Sequence, residues 1–431
     1  MKVLLVNSYD VGGAANACLR LHDGLLAGAI DTIVLLKNKQ KNTSNTEVAQ
    51  IRNIENSNFI KLKLKIARIL KELKIGKNKP SGNQLFIKRR SSQLEMFSYP
   101  YSNYDITEAK AYKETDIVNL HWVADFLDHK SFFKKNSKPV VWTLHDMHPL
   151  TGGEHYEEVF LGINNNGEPE YRVKSDFEIQ ESVKNLNLIK DSIQSIDNLI
   201  VVAPSRWLAN EAKKSFVFKN RAVFCIPNGI DSTVYKPRGK DYSRALLNIP
   251  IDKKVILFVA DSISNNRKGF VFLKKAFEQL TDSNLILCAI GQKNDELQTI
   301  NNILELGPIY DERLMSIAYS AADVFVIPSL IDNLPNTVLE SLMCGTPVVG
   351  FPVGGIPDMI QDGINGILTK EISVASLLEA LTIFLSSADK FDRDSIREDA
   401  VKKYDIKIQA ASYIKLFEDI LKNTINQKGI I

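Results

Sequence analysis

Long apolar runs are missing from this 431-residue chain: none approaches the roughly 18 residues that a membrane span requires. The opening MKVLLVNSYD turns polar after Val6, too soon for the apolar core of a secretory leader, and no small-residue cleavage site follows. Cysteine is scarce. Cys18, Cys225, Cys288 and Cys344 stand far apart with no metal-type pair, as expected of reduced core residues in a reducing compartment. Charge of one sign is scarce too. A formal net charge of +3 argues against a protein built mainly to bind nucleic acid. There is no phosphate loop ending in Gly-Lys-Ser/Thr and no Gly-x-Ser-x-Gly elbow. The sole Asp-x-Asp, Asp392-Arg393-Asp394, falls between C-terminal helices, where a helix cap is the simpler reading than a metal clamp. The expected location is cytoplasmic, with peripheral contact to the inner face of the cytoplasmic membrane left open.

What remains has ordinary globular composition, 44% hydrophobic and 24% charged, enough for two domains of roughly 200 residues each. A buried-type strand at Val3–Val6, a Gly12-Gly13 turn, a helical pattern through Leu19, Leu25 and Leu26, and a second apolar run at Ile33–Leu36 make a βαβ unit. Runs at Ile117–Leu120, Val140–Leu144 and Leu199–Ala203 continue it, in the manner of a parallel sheet covered on both faces. Ile226–Pro237 reads as a linker. The rhythm then restarts with strands at Val255–Ala260, Leu285–Ile290, Val324–Ile327 and Pro347–Gly350, and helices at Gly269–Leu280 and around Val338–Cys344. Ile406–Leu421 is helical and lies beyond the second sheet. The expected fold class is α/β, two Rossmann-like doubly wound domains facing across a cleft. The expected divisions are residues 1–228, 229–405 and a final helix at 406–431, with a basic insertion at about 38–102. A ligand cleft would face the carboxyl ends of both sets of strands.

Within the insertion, Ile60–Ile75 places Leu62, Ile66, Ile69, Leu70 and Leu73 on one helical face and Lys61, Lys65, Arg68, Lys71 and Lys74 around the rest. Two readings stay open: a helix lying on an anionic membrane surface, and an ordinary surface helix packed on the protein.

Val324–Leu368 is the most informative stretch. A strand ends at Pro328-Ser329, and a helix begins near Asn336-Thr337 with unpaired backbone amides that suit a phosphate. Glu340, one turn in, is placed to accept from ribose hydroxyls. Gly354-Gly355 follows the next strand and lets backbone approach a ligand closely. The segment resembles the donor-site signature of family-four glycosyltransferases: two carboxylates with seven residues between them, here Asp332 and Glu340, then Gly345-Thr346-Pro347-Val348-Val349 and the Gly-Gly turn. The first carboxylate is usually Glu in that family, so Asp332 is a departure. The family also has a basic pair, an Arg directly after the strand and a Lys before Gly. Lys268, in Asn265-Asn266-Arg267-Lys268-Gly269, matches the Lys. Ala260-Asp261 stands where the Arg is expected, which leaves Arg267 either a substitute or merely exposed. Fixed cations and a helix N-terminus can stabilise a departing diphosphate without a metal.

The first half carries further likeness. Gly12-Gly13-Ala14-Ala15 resembles the family's first Gly-rich loop. Val140–Tyr156 (VVWTLHDMHPLTGGEHY) and Asn119–Trp122 resemble a branch tied to bacterial exopolysaccharide and lipopolysaccharide assembly, of colanic-acid type. In the wider family a His after this strand contacts the donor sugar, and His145 is the match. His145, His148 and His155 with Asp146 or Glu154 are the only candidates for a metal cluster; nothing in their spacing fixes a coordination geometry, and no metal site is assigned. His121 reads as structural, with a cleft position left open.

The resemblance implies a retaining, metal-independent glycosyltransferase of the GT-B fold. It would move a sugar from a UDP- or GDP-linked donor to a saccharide or lipid-linked oligosaccharide, in surface polysaccharide biosynthesis and with no cofactor. On that reading His145 and Asp332 orient the sugar, Lys268 and Arg267 neutralise diphosphate, and Glu340 holds ribose. Gly12, Gly13, Asn336, Thr337, Gly354 and Gly355 complete the donor site. The rivals are a nucleotide-sugar epimerase on the same fold and a non-catalytic nucleotide-sugar-binding assembly subunit.

Overall fold

The computed structural model describes residues 1–51, 82–90, 94–157, 160–194, 196–292 and 302–422. The basic amphipathic segment at residues 60–75 lies outside them. Among the described residues no helix is long and apolar enough to cross a membrane.

Strands β1 (Lys2–Asn7), β2 (Asp31–Leu36), β3 (Thr46–Val48), β4 (Ile117–Leu120) and β5 (Val140–Thr143) belong to the first sheet. A separate antiparallel hairpin follows, β6 (Phe160–Ile163) with β7 (Pro169–Tyr171). Strands β8 (Leu199–Ala203) and β9 (Val223–Cys225) complete the first sheet in the order β3-β2-β1-β4-β5-β8-β9, all parallel. The second sheet holds β10 (Lys254–Ser262), β11 (Leu285–Gln292), β12 (Ile303–Gly307), β13 (Val324–Ile327), β14 (Val348–Gly350) and β15 (Gly366–Leu368). It is also parallel, in the order β12-β11-β10-β13-β14-β15. Central strands are buried along their length because helices cover both faces, which is why they read as unbroken Val/Ile/Leu runs.

Each order reverses once, between β1 and β4 in the first sheet and between β10 and β13 in the second. At such a reversal the loops leaving the carboxyl ends of neighbouring strands diverge and open a crevice. The loops at these two reversals are those after β1 (Gly12-Gly13), β4 (His121), β10 (Asn265–Gly269) and β13 (Pro328–Pro335).

The chain passes from one sheet to the other after β9. Near residue 405 it meets that crossing again: Ile230 N–H donates to Tyr404 O (2.8 Å) and Ile406 N–H to Ile230 O (3.0 Å). The last helix, Ile406–Leu421, is capped by Asp405 and packs on the first domain, where Tyr413, Leu416 and Phe417 share a core with Val3, Leu5, Cys18, Leu21 and Leu25.

One expectation needs correction. Cys225 is exposed, unlike Cys18, Cys288 and Cys344, because β9 is a three-residue edge strand with no further strand beyond it. Part of the basic insertion joins the first sheet. Thr46–Val48 forms its edge as β3, and Phe86, Phe97 and Tyr99 make a small apolar cluster of their own.

Candidate functional site

The loop after β1 turns at Gly12 (φ +97°), a left-handed conformation that disfavours side chains. A Cβ at Gly12 or at Gly13 would meet nothing within 4 Å, so this turn borders open space. Opposite it stands the N-terminus of helix Asn336–Met343 in the second domain. Pro335 precedes that helix and gives no side-chain cap. Asn336 Nδ2 donates to Gly13 O (3.0 Å), and Asn228 Nδ2 donates to Asn336 Oδ1 (3.1 Å). Asn336 and Thr337 are half-buried. An uncapped helix N-terminus facing an open glycine turn is an anion-binding arrangement.

Gly354 and Gly355 serve otherwise than expected. A Cβ on Gly354 (φ +55°) would lie 1.9 Å from Asp332 O, and one on Gly355 1.8 Å from Asn333 O. Gly355 N–H also donates to Asp332 O (3.0 Å). The close approach that needs glycine here is to the protein's own 332–333 backbone, which the turn supports from behind. Gly269 (φ +69°) does the same for the basic turn, since a Cβ there would sit 1.8 Å from Pro328 O.

This docking brings the cations to the first carboxylate. Lys268 Nζ donates to Asp332 Oδ2 (2.6 Å), and Arg267 Nη1 lies 3.3 Å from the same oxygen. Burial opposes ionisation of Asp332, but Lys268 and then Arg267 outweigh it and hold the carboxyl below its ordinary value. Arg267 is not merely exposed. Its Nε donates to Glu95 Oε1 (2.5 Å) and its Nη1 to Ile331 O (3.0 Å), and its guanidinium lies 4.6 Å from the centre of the Tyr156 ring. Tyr156 OH in turn donates to Asp332 Oδ1 (3.4 Å). Glu95 and Tyr156 belong to the first domain, so this cluster spans both.

His145 follows β5 and is half-buried. Its Nε2 is 2.9 Å from Nδ1 of His121, which follows β4, and the two rings stack at 5.2 Å. Burial pushes His145 down to about 4 and His121 well below the usual imidazole value, so both are neutral and share one proton between the facing nitrogens. Asn333 Nδ2 reaches across to His145 O (3.1 Å), and Ser205 Oγ donates to Asn333 Oδ1 (2.6 Å). The other histidines are engaged elsewhere: His155 Nδ1 donates to Asp146 Oδ2 (2.5 Å), and His148 Nε2 meets Ser98 O (3.1 Å). Glu154 is held by Arg90 and Arg172. Among the described residues no three His, Cys, Asp or Glu side chains are grouped as metal ligands.

Glu340 is buried and accepts from Tyr319 OH on Oε2 (3.1 Å) and from Arg20 Nη2 on Oε1 (2.8 Å). Sequence reasoning passed over Arg20, Glu95, Tyr156 and Asn333. Only Arg20 leaves a signal, a charged residue between Leu19 and Leu21 on the face of the first helix that is otherwise buried.

Two parallel doubly wound sheets, with facing crevices at their strand-order reversals, define a GT-B fold. Over residues 253–387 the chain matches the family model described as "Glycosyl transferases group 1". A D-inositol 3-phosphate glycosyltransferase of Streptosporangium roseum is 25% identical over 250 residues, which is 54% of this chain and 52% of that protein. The chain thus spans about half the length of that curated relative. Among solved structures, sucrose-phosphate synthase from Thermosynechococcus elongatus superposes with a TM-score of 0.68 at 16% identity, covering 98% of this chain and all of that one. Anabaena HepE in complex with UDP and glucose superposes at 0.66 and 15% identity, covering 97% of this chain and 99% of that one. The fold is GT-B throughout, and the likeness to group 1 glycosyl transferases lies within the second domain.

Proposed function

We propose that the chain transfers a sugar from a nucleotide-sugar donor to a saccharide or lipid-linked acceptor in surface polysaccharide assembly, with retention at the anomeric carbon. The observation that carries this reading is the uncapped N-terminus of helix Asn336–Met343 facing the open Gly12-Gly13 turn, tied to it through Asn336 and Gly13 O. Gly13, Asn336 and Thr337 receive the diphosphate, and Lys268 and Arg267 neutralise the charge that grows on it as the sugar leaves. Glu340 accepts from the ribose hydroxyls. His145, neutral and oriented by His121, and Asp332 position the sugar. The acceptor hydroxyl attacks from the face the phosphate leaves, and a phosphate oxygen takes its proton. The match to a group 1 glycosyltransferase family and the UDP and glucose held by a protein of the same fold support the donor class.

The test is a thermal-shift screen against UDP, GDP, ADP and their sugar conjugates, with EDTA present. One nucleotide class is expected to raise Tm by several degrees. Lys268→Met is expected to weaken that nucleotide about tenfold or more, the loss of one charge-assisted hydrogen bond. No shift at millimolar concentration with any nucleotide would refute the donor site. Donor isomerised without an acceptor would instead support the epimerase.

A further inference from the structure

The Glu340 carboxylate is held by a group the donor-site reading does not use. Arg20 lies on the first domain's helix Gly13–Ala27, one to two turns beyond the glycine turn, and is only 5% exposed. Its Nη2 donates to Glu340 Oε1 (2.8 Å) and Glu312 Oε1 (2.6 Å) and reaches Tyr235 OH (3.2 Å), while Nε donates to Glu312 Oε1 (3.1 Å). Its guanidinium also sits 5.2 Å from the Tyr235 ring centre. Glu312, Tyr319 and Glu340 come from two helices of the second domain, so this ion-pair hub crosses the interdomain boundary. Nη1 is buried with no protein partner, a donor left over in an otherwise saturated group.

A carboxylate offers about four acceptor positions, two per oxygen. Arg20 occupies one on Oε1 and Tyr319 one on Oε2, which leaves one acceptor position on each oxygen of the same carboxylate. That is the acceptor pattern for two vicinal hydroxyls. We infer that Arg20 is a positioning residue that fixes Glu340 for the cis-diol of a ribonucleotide, and that it supplies this from the opposite domain. The inference rests on the donor-site reading above. It adds that the ribose acceptor is fully set only when the two domains stand in the arrangement seen here, so that discrimination for ribose is linked to domain closure.

Affinities of UDP, GDP and ADP and of their 2′-deoxy counterparts would be measured by titration calorimetry on the wild type, Arg20→Gln and Arg20→Lys. The wild type is expected to prefer the ribo form of its nucleotide by about tenfold or more. Arg20→Gln is expected to bring that preference close to unity while the deoxy form loses little affinity, and Arg20→Lys to recover part of it. Equal losses for ribo and deoxy forms would make Arg20 a domain clamp only and overturn the inference, as would an unchanged preference. If no nucleotide binds the wild type, the donor-site reading itself falls. A nucleotide that binds with the same ribo preference in all three proteins removes this inference alone.

Discussion

Replacing both cations beside Asp332 is expected to cost more than the two single replacements added together. In Arg267→Met, Asp332 keeps Lys268 at 2.6 Å, and Glu95, 29% exposed at its side chain, can turn to water. In Lys268→Met, Asp332 keeps Arg267 at 3.3 Å. Each single change therefore removes a charge-assisted contact without orphaning a buried charge and should cost about 1–2 kcal/mol. The double replacement leaves a 7% exposed carboxylate with only hydroxyl and amide donors, which moves it toward the range of a broken buried pair, about 3–5 kcal/mol. The coupling should amount to about 1 kcal/mol. The pH dependence gives a second signature. In the wild type the depressed carboxyl contributes stability above its unfolded value, lost as pH falls through its folded value. In the double variant burial acts unopposed and raises it, so the gap to the wild type should be widest at pH 7 and narrow toward pH 4. Urea unfolding followed by circular dichroism at several pH values measures both effects, and Asp332→Asn in the double background should recover stability at pH 7. Additive losses with no pH dependence would refute the argument.

The two glycine turns should separate binding from stability. Gly13→Ala is expected to leave Tm unchanged, since its Cβ meets nothing within 4 Å, while weakening nucleotide binding at the turn. Gly354→Ala combines a left-handed φ of +55° with a Cβ 1.9 Å from Asp332 O, and should lose at least about 2 kcal/mol, seen as several degrees of Tm. Acid should destabilise the first domain early. Burial lowers His129 and His145 to about 4 and His148 to about 3, and each contributes stability that is present above its unfolded value near 6.5 and is lost as pH falls toward those folded values. Urea midpoints should therefore fall between pH 6.5 and 4, and less steeply in His145→Asn. A flat profile over that range would show that these imidazoles are not buried as neutral groups.

The central strands were legible because burial on both faces forces apolar runs: Ile117–Leu120, Leu199–Ala203 and Val324–Ile327 match their strands end to end. The edge strands β3, β9 and β15 were not. Each is three residues long, too short for a periodic or continuous apolar signal, and β3 carries Glu47 besides; each is held in place by its neighbour's backbone. The site divides in the same way. Residues that follow a recognisable strand, Lys268, His145 and Asp332, could be placed because a strand end is a position the sequence marks. Glu95 and Tyr156 reach Arg267 from segments with no such marker, and only the three-dimensional path of the chain brings them there. The glycines show the limit from the other side. All four of Gly12, Gly13, Gly354 and Gly355 read as ligand-facing, and only the first two border open space.

The departure at position 332 takes on a different sense against this geometry. As a shortened Glu it reads as a loss of reach, yet the aspartate carboxylate lies 2.6 Å from Lys268, 3.3 Å from Arg267 and 3.4 Å from Tyr156 OH. One more methylene would carry the carboxylate about 1.5 Å away from the backbone that Gly354 and Gly355 support. Two half-buried cations side by side repel each other, and carboxylates beside them offset that repulsion. Here there are two of each, Lys268 and Arg267 against Asp332 and Glu95. Asp332 belongs to the same domain as the cations, whereas Glu95 comes from the other. Drawing the domains apart would leave Arg267 with Asp332 alone, already shared with Lys268. The charge balance at the basic turn, like the setting of Glu340 by Arg20, is therefore completed across the cleft, and both ion-pair sets favour the arrangement in which the Gly12-Gly13 turn faces the helix at Asn336.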